Sequence, residues 1–383
     1  MLSKVTIENF KAFGEEAVIE IAPITLLFGK NSTGKSTVLH AIGLVDDVLR
    51  KLLQIDTSPF SISDRAWDEL TYRQLVHNHD ITRSIRICAE FQNVDKRLIL
   101  ELVWDDAEEK FVGLPFMRGQ LPPVPLELRI YEADSATPNI TLKCQPDQPA
   151  PSVPKRYVPF ITGELSRIFH APTHRELRGD KVIKAIISPE DFSAIVPAPG
   201  SALLHNMWKD IRENKTLALL NKALLAVDPR YQLDEQLYIT DISKSEDSRI
   251  RLPLQSVGSG ISTILPVLHL CTARQESNIF LQQPEEEMHP AGQCEIADIM
   301  IASSQENNNH LLVETHSEHM LLRILRRIRE KTIDFKEYNE KVRVYRIDNG
   351  KVDSMTIERD GTFRIVGWPS GFFEERYAES GLS

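Results

Sequence analysis

Apolar and polar positions alternate from the start of the chain: Val5, Ile7 and Phe10 have polar neighbours, and Val18, Ile19 and Ile21 repeat the pattern. Each run predicts a short strand. The apolar run Ile24-Thr25-Leu26-Leu27-Phe28 predicts a third. Alternation returns between Asp80 and Cys144, in Ile85, Ile87, Ala89 and Phe91, in Leu98, Leu100, Leu102 and Trp104, and in Leu126, Leu128 and Ile130. An antiparallel insertion over residues 81–160 is expected there. It ends in a linker, because Pro146, Pro149, Pro151 and Pro154 forbid regular structure from Gln145 to Pro154. From Asp180 to Asp228 the period becomes helical, broken at Pro197, Pro199 and Gly200, which predicts an arm or lid within residues 161–250. Strand and helix signals alternate again over residues 251–383. This stretch holds an amphipathic helix, Glu318 to Lys331, with Met320, Ile324, Leu325 and Ile328 on one side and Arg323, Arg326, Arg327 and Arg329 largely on the other. It also holds a hairpin, Val342 to Glu358, turning at Asn349-Gly350. The fold class is α/β, with a parallel core sheet, an antiparallel side sheet and a helical arm.

Chemistry enters between the third strand and the helix-like Thr37-Val38-Leu39-His40-Ala41-Ile42. There stands Gly29-Lys30-Asn31-Ser32-Thr33-Gly34-Lys35-Ser36, a phosphate loop in the strand, loop, helix setting the motif requires. Its glycines let backbone amides wind around phosphates, and the helix N-terminus adds a positive dipole end. Lys35 is placed between the β- and γ-phosphates and the Ser36 hydroxyl on Mg²⁺. Residues 29–37, ending at Thr37, are therefore the expected nucleotide-binding set, with ATP and Mg²⁺ as ligands. The segment 1–80 is the N-terminal lobe that carries it.

Three later stretches add to the picture. Ser256-Val257-Gly258-Ser259-Gly260-Ile261-Ser262 puts small residues at a helix start, where an anion can approach bare amides; an ordinary helix cap is the other reading. Asn278-Ile279-Phe280-Leu281-Gln282-Gln283-Pro284-Glu285 and His310-Leu311-Leu312-Val313-Glu314-Thr315-His316-Ser317 are apolar strands ending in polar residues, at the edge where ligands of parallel sheets collect.

Composition narrows the setting. No stretch of about 18 uninterrupted apolar residues exists, so no membrane span is expected, and a cytoplasmic location is the simplest reading. The four cysteines, Cys88, Cys144, Cys271 and Cys294, show no metal-type spacing. A net charge of −10 leaves only local patches for nucleic acid, so DNA is a candidate partner only through a stripe such as the arginine face of the 318–331 helix, and solvation is the ordinary reading of that face.

Together the motifs resemble the ABC-class ATPase heads of the RecF, SMC and OLD-like group, in its bacterial AAA-like subset. The opening Glu8-Asn9-Phe10-Lys11-Ala12-Phe13 is similar to that group's first strand, Gln283-Pro284-Glu285 with Met288-His289-Pro290 to its Walker B region, and Glu314-Thr315-His316-Ser317-Glu318-His319 to its switch histidine. The tail Trp368-Pro369-Ser370-Gly371-Phe372-Phe373 looks like an ending found in part of the group, and Arg175 and Arg178 look like a nucleotide-side segment, with surface ion pairing the alternative. The resemblance implies a P-loop NTPase head of ABC type. It further implies that Gly258, Ser259 and Gly260 complete the site of a second subunit in an ATP-sandwiched homodimer or higher assembly, and that His316 senses the γ-phosphate.

One departure stands out. Where the wider ABC pattern has Asp for the metal and Glu for the attacking water, this chain has Gln282 and Gln283. An amide orients a water but does not accept its proton near neutral pH, so slow hydrolysis is expected. Gln283, His316, Glu285 and Glu314 are the catalytic candidates, and Ser36 and Gln282 the metal candidates. For Glu285 and Glu314 two readings stand, replacement of the missing acid or a supporting role. The function that follows is an ATP-dependent dimeric switch or sensor in DNA-associated processes or anti-phage defence, acting on a separately encoded effector. The alternatives are a self-contained OLD-like nuclease, for which the segment after Lys331 is short and has no paired acidic D-x-D cluster, a non-hydrolysing scaffold, and a transporter ATPase, which the N-terminal strands disfavour.

Overall fold

The computed structural model describes residues 1–54, 70–92, 97–104, 125–132, 135–145, 149–171, 199–330, 341–358 and 364–366. The N-terminal alternation forms β1 (Leu2–Glu8) and β2 (Ala17–Glu20), and the apolar run forms β3 (Ile24–Phe28), which leads through the phosphate loop into α1 (Lys35–Leu52). A short α2 (Tyr72–Leu75) precedes β4 (Ile85–Gln92), β5 (Arg97–Trp104), β6 (Leu126–Glu132) and β7 (Ile140–Cys144). Then come α3 (Val158–Leu165), β8 (Ile168–Ala171), α4 (Pro199–Asn214), α5 (Leu217–Val227), β9 (Tyr231–Leu233), β10 (Tyr238–Asp241) and β11 (Arg251–Pro253). The last part holds α6 (Ser259–Ala273), β12 (Asn278–Gln282), α7 (Pro290–Glu306), β13 (His310–Glu314), α8 (Glu318–Arg329), β14 (Val342–Asp348), β15 (Lys351–Glu358) and β16 (Arg364–Val366).

The central sheet has the order β16-β15-β14-β3-β13-β12-β8, and its pairs from β14 to β8 are all parallel. The parallel strands present two apolar faces. Leu27, Phe280, Leu312 and Tyr345 pack toward α1 and the antiparallel sheet, while Leu26, Leu281, Val313 and Val344 pack toward the helices of the other side. This explains why β3 and β12 are buried along their whole length, the pattern of a sheet covered on both faces.

Three features differ from the sequence reading. The antiparallel sheet runs β2-β1-β4-β5-β6-β7, so it takes in the first two strands as well as the stretch from Ile81 to Cys144. Val5 and Ile7 need an apolar face to pack on, and pairing β1 beside β4, with Thr6 opposite Cys88, lines them up with Ile87 and Ala89. Arg251–Pro253 joins β9 and β10 in a separate three-stranded sheet rather than the nucleotide core; Pro253, without an N–H, suits that edge position. Pro199 and Gly200 begin a helix instead of breaking one, since proline has no first-turn hydrogen bond to lose. In the described part of the expected arm, Met207, Ile211, Leu220 and Leu224 are buried in the same core as Ile264 and Leu268, so these helices pack rather than project. Residues 172–198, with Arg175 and Arg178, and the Trp368–Phe373 tail lie outside the described residues.

The Asn349-Gly350 turn forms as expected, with φ of 49° and 75° at its two residues. It packs over the phosphate loop. The Gly350 amide donates to the Thr33 carbonyl at 3.1 Å, and a Cβ on Gly29 would run into the Ile347 carbonyl oxygen.

Candidate nucleotide site

The site lies at the carboxyl ends of β3, β13 and β12. The loop after β3 is shaped by left-handed backbone at Ser32 (φ 63°) and Gly34 (φ 115°), and Gly34 caps α1 so that the amides of the first turn face outward. A cavity of about 490 Å³ opens above it, lined by Asn31, Ser32, Gly34, Lys35, Ser36 and Thr37 from the loop, and by Gln283, Glu314, Lys11 and Ala12. Its lining thus comes from both lobes of the sequence.

Lys35 is buried, and its ammonium donates to the loop's own carbonyls, Gly29 at 2.9 Å and Lys30 at 2.7 Å. Burial lowers its pKa, opposed by the Glu314 and Glu285 carboxylates. The Ser36 hydroxyl donates to Glu314 Oε1 at 2.9 Å, which brings together two residues expected to serve the site. Glu314 is 4 % exposed, and burial pushes its carboxyl upward, with the Ser36 hydrogen bond and Lys35 opposing and Glu285 adding to the rise. Its other oxygen, Oε2, is buried with no hydrogen-bond partner among the described residues.

Glu285 holds the segment that follows β13, because its Oε1 accepts from the His316 backbone N–H at 2.7 Å. His316 Nε2 is also buried without a hydrogen-bond partner among the described residues, and burial, aided by Lys35, lowers its pKa. Ser317 caps α8 through its hydroxyl, which accepts from Met320 N at 3.1 Å and donates to Gln293 at 2.6 Å, so the histidine is fixed between a strand end and a helix start. Gln283 adopts left-handed backbone (φ 44°), and its amide donates to the Glu314 carbonyl at 2.8 Å. Gln282 is buried and pairs with Glu314 in register, but does not line the cavity.

The structure brings Lys35, Ser36, Gln283, Glu314, Glu285 and His316 together. It does not bring Gly258 and Gly260 to the same cavity: Gly258 is exposed with open space around it, while Gly260 packs against the Glu287 carbonyl. Sequence reasoning did not assign Lys11. It stands in a tight turn with φ of 50°, its Nζ 3.2 Å from His40 Nδ1, and burial lowers its pKa to about 8. Left-handed backbone at Asn9 and Lys11 and the Phe10–Phe13 bridge shape the turn that brings the lysine to the cavity, a geometry with no signal in the sequence.

On α8, Arg323 and Arg327 bind Asp298, at 2.6 Å and 2.5 Å, and Arg326 binds Glu330 at 2.7 Å. These three arginines are engaged in ion pairs, which weakens the case for a DNA-contact stripe. No helix among the described residues is long and apolar enough to cross a membrane, and those residues contain no group of three or more His, Cys, Asp or Glu placed to hold a metal. Magnesium bound with nucleotide needs no such group, since phosphates and waters supply most of its ligands. The loop cradle, the Ser36 hydroxyl and the unpartnered Glu314 oxygen fit that ion.

No curated protein matches this sequence. Among solved structures, an SMC head domain from Thermotoga maritima aligns over 93 % of this chain and 99 % of its own at 10 % identity with a TM-score of 0.45. An SMC head bound to the C-terminal winged-helix domain of ScpA aligns over 94 % and 99 % at 12 % identity with a TM-score of 0.49. Likeness at that level fixes no detail of this chain. Residues 1–144, the stretch that includes the phosphate loop, match the family described as AAA ATPase domain.

Proposed function

We propose that this chain binds Mg-ATP in the cavity above the phosphate loop, hydrolyses it slowly, and works as a nucleotide-dependent dimeric switch. The observation that carries the reading is the convergence of Lys35 and Ser36 from one end of the sequence with Gln283 and Glu314 from the other on a single cavity. Lys35 neutralises the β- and γ-phosphates, and the outward amides of α1 receive the phosphate oxygens. Magnesium held beside Ser36 would screen the charge that builds on the transferring phosphoryl group. Gln283 orients the attacking water without taking its proton, so turnover is slow and occupancy matters more than flux.

Gly258 and Gly260 stand clear of this cavity at the start of α6, which suits closure onto the nucleotide of a second copy. A separately encoded effector, in DNA-associated processes or anti-phage defence, is the partner class that the motif resemblance supports. Light scattering with and without a nonhydrolysable ATP analogue tests the switch. The expected result is analogue-dependent doubling of mass, lost in Gly258→Glu, a change that the open space around Gly258 accommodates in the single chain. An unchanged mass with analogue in the unaltered protein would remove the dimer from the reading.

A further inference from the structure

We propose that the acidic group serving the magnesium site of this chain is Glu314, at the end of β13, and not the β12 terminus at Gln282 where the sequence pattern locates it. The inference rests on the Mg-ATP reading above and assigns the metal within it.

Three observations carry it. Ser36 is the loop residue whose hydroxyl is expected on the metal, and that hydroxyl is 2.9 Å from Glu314 Oε1. A metal at Ser36 therefore lies beside a carboxylate already in hydrogen-bond contact with its ligand. Glu314 lines the cavity, whereas Gln282, its register partner on the neighbouring strand, does not. The second Glu314 oxygen is buried with no hydrogen-bond partner among the described residues, an arrangement that is costly for a carboxylate unless a cation or its water shell meets it.

The chemistry of the two termini agrees. Magnesium selects hard, charged oxygen and keeps several waters, so one carboxylate with a hydroxyl and two phosphates is a sufficient protein contribution. An amide at Gln282 brings no charge. Strand order makes the exchange feasible: β13 pairs directly with β3, the strand that feeds the phosphate loop, while β12 is one strand farther out. The carboxylate thus sits one strand closer to Ser36 than the β12 end. Glu285 is occupied differently, accepting from the His316 amide at 2.7 Å.

The test measures metal affinity rather than turnover. Mn²⁺ is titrated into the full chain with a nonhydrolysable ATP analogue and followed by electron paramagnetic resonance, and analogue binding without metal is measured by calorimetry. Glu314→Gln is expected to weaken Mn²⁺ binding roughly 10- to 100-fold while metal-free analogue binding is kept, and Glu314→Asp to recover part of the loss. Equal Mn²⁺ affinity in Glu314→Gln and the unaltered chain overturns the assignment, as does a loss confined to Gln282→Leu. Crystals of the unaltered chain with analogue and Mn²⁺ give an answer free of any folding defect: anomalous density beside Ser36 and Glu314 supports the assignment, and Glu314 turned away from the ion overturns it. If the unaltered chain binds no analogue, the Mg-ATP reading fails and takes this inference with it; if analogue binds and only the Glu314 result is negative, the Mg-ATP reading survives alone.

Discussion

Two neighbouring strand ends face the same cavity with opposite chemistry. β12 ends in the amide Gln282, followed by the cavity-lining amide Gln283, and β13 ends in a cavity-lining carboxylate, Glu314, although Gln282 and Glu314 are register partners in one parallel pair. A buried amide needs hydrogen bonds, whereas a buried carboxylate needs charge as well, and only the β13 end has it, with Lys35 acting on Glu314 and the Ser36 hydroxyl donating to it. Neighbour order in the sheet, not nearness in sequence to a known motif, decides which strand end meets the phosphate loop.

The largest expected effect comes from removing the charge to which the carboxylate end responds. Lys35→Ala should weaken ATP binding about 100-fold or more, because a buried cation in charge-assisted contact is worth several kcal/mol. Calorimetric titration reads it directly, and unchanged affinity would mean that the cavity is not the nucleotide site. Next in size, Gln283→Glu makes the amide end acidic. If the β12 end lacks only a proton acceptor, steady-state phosphate release should rise on the order of 10², and His316→Ala should lower it. Turnover of the unaltered chain at tens per second would contradict the slow-switch reading.

The smallest effect concerns stability and the lysine on the opposite wall. Burial lowers Lys11 from 10.5 to about 8, so between those values the unfolded chain holds a proton that the folded one has released. Stability should therefore rise with pH across that window, and the cost of burying the charge is present in full below pH 8. Lys11→Met should stabilise the chain below pH 8 by up to about 3 kcal/mol, since each pH unit between the two values is worth about 1.4 kcal/mol, with the advantage shrinking toward pH 10.5. Urea unfolding at several pH values measures it; a difference independent of pH would show that Lys11 is not buried as a charge.

Local periodicity made much of the fold legible. The alternation of Leu98, Leu100, Leu102 and Trp104 gives β5, the Asn349-Gly350 pair gives the hairpin, and the glycine spacing gives the phosphate loop. Pairing between distant segments was not legible. Nothing local in Val5 and Ile7 says that they pair with Ile87 and Ala89, because strand partners are chosen by which apolar faces must be buried together. The site divides in the same way. Lys35 and Ser36 are readable from the motif, but Glu285 and Glu314 look alike in sequence, both being acids just beyond or at an apolar strand. Their difference, one holding the His316 amide and the other beside Ser36, comes from the β3-β13-β12 order and is visible only once the sheet is assembled. Lys11 escaped because a positive φ at a lysine has no compositional signal.

The turn that roofs the phosphate loop also fixes an order of events during synthesis. Gly29 and Gly34 lie under Ile347, and Thr33 receives the Gly350 amide, so the loop's ceiling is made of residues translated more than three hundred positions after it. A nascent chain that has emerged only as far as α8 has Lys35 and Ser36 but no roof over them. Since chains emerge at roughly 5–20 residues per second, the loop stays open to solvent for on the order of half a minute before its last wall arrives. The phosphate loop therefore gains its roof only once the β14–β15 hairpin has been translated.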